Sequence, residues 1–359
     1  MMLVMKNRTF VIIPNWNGED RLAAAIDSVL SQSYRDFQLV IVDNGSTDAS
    51  RDIIARYERQ DARISSILRD KNYGYTGGVN PGFERAIEAG ATYAAPFNND
   101  AVADKDWLKH LVDFLDGHKT YGIAACTILH ADGKTIDSTA DQYTIWGIPF
   151  PRGRDEPASN RYDQDTTIFG ASGGASMYRV SMLKKVGLLD QDFFAYYEDI
   201  DLSFRAQLAG YKVVFVPKSV VYHEQGQTTA RLAKRQNNGR VATTFTTKQY
   251  MKNLPYILAK DMPLGLLVRV LPRFWLAYTL FFLKSFPEGR GGSALQGVCL
   301  FWLKLPKKLW QRRRIQAGRV VSNQYLWSIL VHDLPPNAHK LMKLRALWWK
   351  LTFRRRVQR

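Results

Sequence analysis

The sequence predicts an α/β fold in which helices cover a mostly parallel β-sheet. In its first half, short apolar runs typical of strands alternate with segments of helical spacing. Polar clusters follow several of the apolar runs, and ligands of such sheets bind at the carboxyl ends of the strands. The chain has 359 residues, 46% of them hydrophobic, which is enough for one large domain plus an appendage or for two domains.

The predicted elements of the first 130 residues follow in a regular order. The pattern predicts strand 9–17, helix 21–30, strand 38–43, turn 44–50 leading into a helix, strand 64–68, a helix from 81 to 89, strand 92–97, helix 104–115 and strand 123–129. Thr47 or Asp48 is a plausible N-cap of the second helix. The glycine-rich segment 72–82 precedes the third helix, which we expect to begin at Pro81 because proline suits a first helical turn.

The next hundred residues contain a predicted loop and further elements of the sheet. Residues 131–165 are polar and rich in Asp, Gly and Pro, so we expect a loop that covers a site. A glycine-containing strand is predicted over 169–178. The run FAYYEDIDLSFR (194–205) leads into a helix that ends at Gly210, and strand 211–216 follows.

The net charge of +17 is distributed unevenly along the chain. Residues 231–359 contain 26 Lys and Arg against 3 Asp and Glu, a balance of +23, whereas residues 1–230 have a balance of −6. Two surfaces of such different charge indicate two different partners. We therefore predict a sheet-containing domain over 1–230 and a basic helical region over 231–359.

The basic region also contains long apolar runs. Residues 262–286 are strongly apolar, but their longest uncharged run, 274–283, is shorter than the roughly 20 residues that span a bilayer. Apolar helices with Trp, flanked by Lys and Arg, are typical of helices that lie on an anionic membrane surface. A soluble helical subdomain with a solvated basic face is the alternative. Nucleic acid is not expected as a partner, because its binding makes little use of long apolar runs.

Three carboxylates, Glu198, Asp199 and Asp201, stand within four residues of one another. A positioned carboxylate can take the proton from an alcohol during a reaction. Acidic residues at a helix start can also simply favour the helix dipole and cap free amides. From this run alone, both interpretations stay open.

Two further polar clusters follow predicted strands. Asp43 can accept the imide N–H of a pyrimidine base, or it can stabilise an Asx-type turn. In Asn98-Asn99-Asp100, the carboxylate suits Mg²⁺ or Mn²⁺, which neutralise a diphosphate. His223 follows the last predicted strand and is a candidate second metal ligand, which would favour Mn²⁺, although a lone histidine is often an ordinary core or surface residue.

Six motifs occur in a fixed order along the chain. They are VIIPNWNG (11–18), IVDNGSTD (41–48), NYGYTGGVN (72–80), FNND (97–100), GGASMYR (173–179) and YYEDIDLSFRAQLAGYKVVFVP (196–217). In order and spacing, the chain resembles the family 2 inverting glycosyltransferases of the GT-A fold over about residues 8–230. Within that family it is most similar to bacterial rhamnosyltransferases that build cell-surface polysaccharide.

The resemblance implies a role for each matching position. The donor nucleotide would be bound by Pro14, Asn15, Asp43, Asn72, Gly78, Asn80, Asn98 and Asn99. Asp43 would read the base. Asp100 and His223 would hold Mg²⁺ or Mn²⁺, and Asn98 stands where the family's metal motif has its first Asp.

The same resemblance implies the catalytic machinery. Asp199 matches the general base of the family. Glu198 and Asp201 would help bind the acceptor or orient Arg205, which we expect at the acceptor or at the diphosphate. A single displacement by the acceptor hydroxyl would invert the anomeric centre.

The substrates and the location are also implied by the resemblance. We expect transfer of L-rhamnose from dTDP-rhamnose onto a lipid-linked or growing saccharide, by a cytoplasmic protein that is peripheral at the inner face of the cell membrane. Two cysteines without motif spacing fit a reducing compartment, and the first residues lack the pattern of a secretory signal. A UDP-hexose or UDP-galactofuranose transferase, a membrane- or nucleic-acid-binding protein without activity, and a transferase that has lost its activity are the alternatives.

Overall fold

The structure is a computed structural model that describes residues 8–159, 162–223 and 243–336. The strands in this part of the chain are β1 (Thr9–Asn15), β2 (Phe37–Asp43), β3 (Ile64–Leu68), β4 (Tyr93–Pro96), β5 (Ala101–Ala103), β6 (Tyr121–His130), β7 (Ile136–Ser138), β8 (Asp141–Tyr143), β9 (Pro149–Pro151), β10 (Thr166–Ile168), β11 (Met177–Arg179) and β12 (Lys212–His223). The α-helices there are α1 (Leu22–Leu30), α2 (Ser50–Gln60), α3 (Gly74–Glu88), α4 (Trp107–Gly117), α5 (Val180–Val186), α6 (Glu198–Leu208), α7 (Thr244–Lys260), α8 (Leu264–Ser285), α9 (Gly291–Ala317) and α10 (Asn323–Ile329).

Most of the strands form one mixed sheet in the order β10-β12-β6-β11-β4-β1-β2-β3, with β5 beside β12 and β7 beside β6. The ladders among β4, β1, β2 and β3 are parallel, as is the long pairing of β6 with β12. β11 lies antiparallel between β4 and β6. The predicted α/β class with a mostly parallel sheet flanked by helices is therefore confirmed.

Two apolar clusters cover the faces of the sheet. Val11 and Ile13 of β1 pack in one cluster with Leu111 of α4, while Ile12 packs in the other with Val79 of α3. Successive side chains of a strand point to opposite faces, so one uninterrupted apolar strand supplies both clusters. Each fully buried aliphatic side chain contributes roughly 1.5–3 kcal/mol, so the strands near the sheet centre are held firmly.

Helix α3 begins at Gly74, and the prediction that it begins at Pro81 is wrong. Gly74 has φ +75°, and a Cβ there would lie 2.3 Å from the carbonyl oxygen of Phe194. Its N–H donates to Oδ1 of Asn72 at 2.7 Å, which fixes the start of the helix. Pro81 removes one helical hydrogen bond, but the following Gly82 lets α3 pack directly on Ile12. Tertiary packing thus outweighs the low helix propensity of the glycines.

The expected strand 169–178 is wrong for most of its length, because only Met177–Arg179 at its end pairs with the sheet. The glycines before it form a close-packed loop in which a Cβ at Gly174 would lie 2.8 Å from Nδ2 of Asn98. Strand β12 continues past Pro217, where the prediction ended it. A register shift between Val216 and Val220 accommodates the proline, since a bulge needs no ladder hydrogen bond there.

The helical C-terminal region packs on the sheet-containing part of the chain. A third apolar cluster contains Tyr143 of β8 and Phe204 of α6 together with Tyr256, Phe274 and Phe301 of α7, α8 and α9. The predicted boundary between 230 and 231 lies outside the described residues. The described C-terminal helices share a buried core with α6, which carries the acidic run.

Helix α8 is, within the described ranges, the one helix whose length and composition suffice to cross a membrane. It has 22 residues, and its most apolar stretch of 18 residues has a mean hydropathy of 1.5 and is 28% buried. Several large apolar side chains of α8 and α9 are exposed: Leu264, Val268, Leu276, Leu283, Leu295, Trp302, Leu303 and Trp310. The sequence interpretation, helices on a membrane surface, stays a prediction.

Candidate active site

Three of the predicted nucleotide-binding residues meet at the carboxyl ends of β1 and β2. The side-chain amide of Asn15 donates to Oδ2 of Asp43 at 3.3 Å and to Oγ of Ser46 at 3.2 Å. Asn99, which follows β4, donates to Oδ1 of Asn15 at 2.7 Å. Parallel strands end at one edge of a sheet, and these hydrogen bonds join the polar clusters of three strands there.

The carboxylate of Asp43 is completely buried at this edge. Its Oδ1 accepts hydrogen bonds from the backbone N–H of Ser46 at 3.1 Å and from Nε of Arg51 at 2.9 Å. Arg51, on α2, remains 44% exposed and thus links the buried carboxylate to the protein surface. Sequence reasoning did not single it out, although it follows the Asp43 motif by one helical turn.

Pro14, Asn72 and Gly78 line the same side of the site. Oδ1 of Asn72 accepts a hydrogen bond from Nδ2 of Asn44 at 3.1 Å. A Cβ at Gly78 would lie 2.9 Å from Cβ of Pro14, so this glycine allows α3 to approach the end of β1. The glycine thus brings the first turns of α3 close to the strand ends.

Asn80 lies away from any open pocket. It is 4% exposed, and its amide bridges to the backbone of Leu189, donating to the carbonyl at 2.8 Å and accepting from the N–H at 3.1 Å. The side chain therefore joins α3 to the segment that precedes the acidic helix. In this arrangement Asn80 stabilises the fold, and its predicted contact with ribose or diphosphate stays a prediction.

Asp100 and His223 come together, 123 residues apart in sequence. Nε2 of His223 lies 3.0 Å from Oδ1 of Asp100 and 3.3 Å from Nδ2 of Asn98. The antiparallel pairing of β5 with β12 produces this approach, because it sets His223 opposite Ala101. One carboxylate oxygen and one imidazole nitrogen therefore face each other beside the strand ends.

Asp137 orients the imidazole and was missed by the sequence analysis. Its Oδ2 lies 2.8 Å from Nδ1 of His223, and its Oδ1 accepts from Arg154 at 2.7 Å. Asp137 belongs to β7, inside the segment 131–165 that was expected to be a loop. Burial alone would lower the pKa of His223, but the hydrogen bonds to Asp100 and Asp137 outweigh it and raise the pKa to about 9.

The donor set suits a divalent cation that also binds a substrate diphosphate. Among the described residues, no three His, Cys, Asp or Glu side chains are grouped to hold a metal ion. Asp100 and His223 offer one oxygen and one nitrogen, and Asp137 behind the imidazole is the outer partner that metal-binding histidines usually have. Mg²⁺ and Mn²⁺ commonly complete their coordination with phosphate oxygens and water.

Asp199 lies in the first turn of the acidic helix α6 and faces residues 169–176 before β11, called the glycine loop below. Its Oδ2 accepts the backbone N–H of Gly173 at 3.0 Å, and its Oδ1 accepts that of Ile200 at 2.8 Å. The carboxylate keeps some contact with solvent, but burial of its surroundings raises its pKa, and the two N–H donors offset only part of that rise. A raised pKa makes this carboxylate a stronger base than an exposed aspartate.

The glycine loop connects Asp199 with the segment Asn98–Asp100. Gly174 accepts the backbone N–H of Asn98 at 2.8 Å, while Gly173 holds Asp199. The hydroxyl of Tyr75 donates to the carbonyl of Gly173 at 2.6 Å. Two adjacent glycines thus link Asp199 to the segment that contains Asp100.

Two further carboxylates lie near Asp199. Glu198 is 5% exposed, and burial followed by the charge of Asp199 raises its pKa well above the usual range. The pKa of Asp141, on β8, is also raised well above its usual range, first by burial and then by the charge of Asp199. Asp141 was not among the predicted residues, because nothing in its local sequence marks it.

Asp201 and Arg205 form a buried ion pair instead of lining a pocket. Oδ2 of Asp201 accepts from Nε and Nη2 of Arg205 at 3.0 and 2.7 Å, and Lys260 of α7 contacts its other oxygen. The remaining donors of Arg205 bind the carbonyls that end α5, at residues 186, 187 and 188. All five N–H groups are used, so the predicted contact of Arg205 with acceptor or diphosphate is not available in this structure.

Comparison with known families and sequences agrees with this arrangement. Residues 10–187 match the family described as Glycosyl transferase family 2. A putative teichuronic acid biosynthesis glycosyltransferase, TuaG of Bacillus subtilis, is 31% identical over 128 residues, which are 35% of this chain and 50% of TuaG. An N-acetylglucosaminyl-diphospho-decaprenol L-rhamnosyltransferase of Mycobacterium tuberculosis is 24% identical over 244 residues, covering 62% of this chain and 77% of the relative. The chain thus spans half the length of the first relative.

Solved structures share the fold at low sequence identity. S. aureus TarS 1-349 superposes with a TM-score of 0.51 at 17% identity and covers 87% of this chain and 90% of its own. GalNAc-T7 superposes with a TM-score of 0.60 at 15% identity, over 89% of this chain and 56% of its own. The family match, the order of the motifs and the shared fold lead to one conclusion: over residues 10–187 this chain carries a glycosyl transferase family 2 domain, and its fold is the GT-A fold.

Proposed function

We propose that the protein is an inverting glycosyltransferase that moves a sugar from a nucleotide-sugar donor to an acceptor hydroxyl. The observation that carries this proposal is the glycine loop. Gly173 of this loop binds Asp199, and the adjacent Gly174 binds Asn98, in the segment of the proposed metal ligand Asp100. The proposed base and the proposed diphosphate site are therefore joined by one loop. The polar cluster around Asp43 provides the nucleotide end of the proposed site.

Asp199 acts as the general base. The acceptor hydroxyl has a pKa far above 7, so it must lose its proton as it attacks the anomeric carbon. The new bond forms from the acceptor oxygen to that carbon, the bond to the diphosphate breaks, and the proton goes to Asp199. The raised pKa of Asp199 suits this transfer, and the rate should fall as the pH drops through that pKa, because the protonated form cannot act as a base.

Asp100 and His223 hold a divalent cation together with the donor diphosphate. Such a cation stabilises the negative charge that develops on the leaving group. Asp137 keeps Nε2 of His223 directed to the cation side by holding Nδ1. GalNAc-T7, which shares the fold, was solved with UDP, GalNAc and Mn²⁺.

The donor we favour is dTDP-L-rhamnose. The support is the mycobacterial relative named as an L-rhamnosyltransferase, which aligns over most of its length. A UDP-linked hexose or galactofuranose is the second candidate, since S. aureus TarS 1-349 was solved in complex with UDP-GlcNAc.

The acceptor we propose is a lipid-linked or growing saccharide at the inner face of the cell membrane. The exposed apolar side chains of α8 and α9 stand among cations, including Arg313 and Arg314, and residues 231–359 have a charge balance of +23. Anionic lipid complements both features. The enzyme would then be cytoplasmic and peripheral, near its acceptor.

The test measures thermal stability with UDP, dTDP, GDP or ADP, each with Mn²⁺ or with EDTA, followed by transfer from the matching labelled nucleotide sugar. A ligand that binds only the folded state raises stability according to its concentration relative to Kd. A metal-dependent shift with dTDP alone supports the rhamnosyl donor, whereas UDP alone supports the second candidate. No shift with any nucleotide contradicts the proposed donor site.

A further inference from the structure

The segment before Asp199 has an unusual backbone. Phe194, Tyr196 and Tyr197 have φ values of 66°, 72° and 71°, which residues other than glycine rarely adopt. Tyr197 directly precedes Glu198, the first residue of α6. Such strained conformations persist only where the surroundings hold them, and they are often found at functional sites.

One side chain of α7 holds this segment. Nδ2 of Asn253 lies 3.1, 2.9 and 2.8 Å from the carbonyl oxygens of Phe193, Ala195 and Tyr196. Carbonyl oxygens only accept, so the NH₂ end of the amide must face them. Asn253 is completely buried, so an apolar side chain of similar size in its place would leave these carbonyl oxygens without that donor.

Lys252, the residue before Asn253, makes further hydrogen bonds to the segment. Nζ of Lys252 donates to the carbonyl oxygens of Asp192 at 2.7 Å and of Phe193 at 3.1 Å. Lys252 is 7% exposed, and burial lowers its pKa to about 8. The two adjacent residues of α7 therefore bind four of the five carbonyls from 192 to 196.

The other side of the segment meets the donor half of the site. The carbonyl of Phe194 accepts the backbone N–H of Thr76 at 3.2 Å, in the first turn of α3. The segment is thus held between α7 and the glycine-rich start of α3. A shift of the segment would move Asp199 relative to the donor.

We propose that Asn253 and Lys252 are positioning residues that hold residues 192–197, three of which have positive φ, and thereby orient Asp199 toward the acceptor hydroxyl. The C-terminal helices then form part of the catalytic machinery as well as the proposed membrane surface. The inference rests on the proposed function of Asp199 as the base. It concerns residues to which neither the motifs nor the family match, which ends at 187, assigns a role.

The test uses the full chain with Asn253→Leu, which keeps the volume but removes the donors, and Lys252→Met, which keeps the stem. Tyr278→Phe is the matched control. The hydroxyl of Tyr278, on α8, donates to the carbonyl of Met251, which is on α7 like the two test residues but outside the segment 192–197. We expect kcat to fall about 10-fold to 100-fold in each test variant, as misplacement of a reacting group does. The donor KM and the nucleotide-induced shift in Tm should stay as in the wild type, since the side-chain hydrogen bonds of Asn15 and Asp43 go to each other and to Ser46, Arg51 and Asn99.

The outcomes separate this inference from the proposed function. Wild-type kcat in both test variants, or a loss no larger than that of Tyr278→Phe, overturns the positioning role. A raised donor KM with unchanged kcat also overturns it. Absence of transfer by the wild type contradicts the proposed function instead. In that case amide hydrogen exchange over residues 194–201 tests whether Asn253 stabilises the segment. Faster exchange in Asn253→Leu than in Tyr278→Phe supports this role, and equal exchange refutes it.

Discussion

His223 shows how a single residue depends on partners that are distant in sequence. Its Nε2 faces Asp100, and its Nδ1 is held by Asp137, which also binds Arg154. A histidine whose second nitrogen is held by a carboxylate has a fixed ring orientation, which strengthens its binding of a metal. Asp137 thus acts on the proposed cation through His223.

Asp137→Asn should therefore weaken Mn²⁺ binding about 10-fold to 100-fold, as loss of an outer partner usually does. Isothermal titration of Mn²⁺ in the presence of the nucleotide that stabilises the protein measures this. Asp113→Asn is the control, because Asp113 is exposed on α4 and its ion pair within the described residues is with Lys109, one helical turn earlier. Equal Mn²⁺ affinity of wild type and Asp137→Asn would show that Asp137 has no such role.

At the scale of elements, buried ion pairs join α9 to the segment before α6. Nζ of Lys308 lies 2.6 Å from Asp190 and 2.9 Å from Asp192, and its side chain is completely buried. The adjacent Lys307 also reaches Asp192, at 2.7 Å, but is 52% exposed. Burial would raise the pKa of Asp190, yet the charges of Lys260 and Lys308 outweigh it and hold the pKa far below its usual range.

Lys308→Met should cost more than about 1 kcal/mol and at most about 3–5 kcal/mol of stability, because it removes one of the two lysines that pair with the buried Asp190 and leaves only Lys260 there among the described residues. Lys307→Met, the matched control, should cost no more than about 1 kcal/mol, since exposed pairs are screened by solvent. Chemical denaturation measures both. Equal losses in the two variants would contradict the distinction between the buried and the exposed pair.

The same pairs predict a pH dependence. The pKa of Asp190 is lower in the folded state than in the unfolded chain, so its pairing contributes full stability above roughly pH 5 and loses it progressively toward pH 1. The gap in Tm between wild type and Lys308→Met should therefore narrow on acidification. Thermal unfolding from neutral to acidic pH tests this, and a gap that widens would refute the assignment.

The elements also show what could be predicted from sequence. The polar clusters at strand ends were visible because each follows an apolar run, and their meeting at one edge follows from the parallel sheet. The start of α3 could not be predicted from the sequence, because contacts of Gly74 and Gly82 with distant residues outweigh the low helix propensity of glycine. The contacts of Asp137 with His223 and of Asn253 with the segment before α6 join residues far apart in sequence, so local patterns do not contain them.

At the scale of the whole molecule, the C-terminal helices present two different faces. One face packs on α6 through Tyr256, Phe274 and Phe301, while the other exposes Trp302 and Trp310 beside clustered cations. An exposed apolar surface with many Lys and Arg side chains suits the headgroup region of an anionic bilayer. The proposed membrane surface and the proposed base thus belong to one packed unit.

Arg313→Gln/Arg314→Gln should weaken binding to anionic phosphatidylserine vesicles by roughly 5-fold per arginine, the equivalent of about 1 kcal/mol each. Arg56→Gln/Arg59→Gln on α2 is the control, because it removes two exposed arginines at a distance from the C-terminal helices. Co-sedimentation with anionic and neutral vesicles measures the difference. Equal losses in both variants would point to net charge rather than to this surface.

The central claim is that Asp199 is the base of a sugar transfer, and Asp199→Asn tests it most directly. The amide keeps the size of the side chain but cannot take the proton, so kcat should fall by about 10²–10⁴ while the nucleotide-induced shift in Tm remains. Transfer of labelled sugar and thermal unfolding, measured on the same preparations with Glu198→Gln alongside, give both quantities. Wild-type kcat in Asp199→Asn, or a larger loss in Glu198→Gln, would contradict the account.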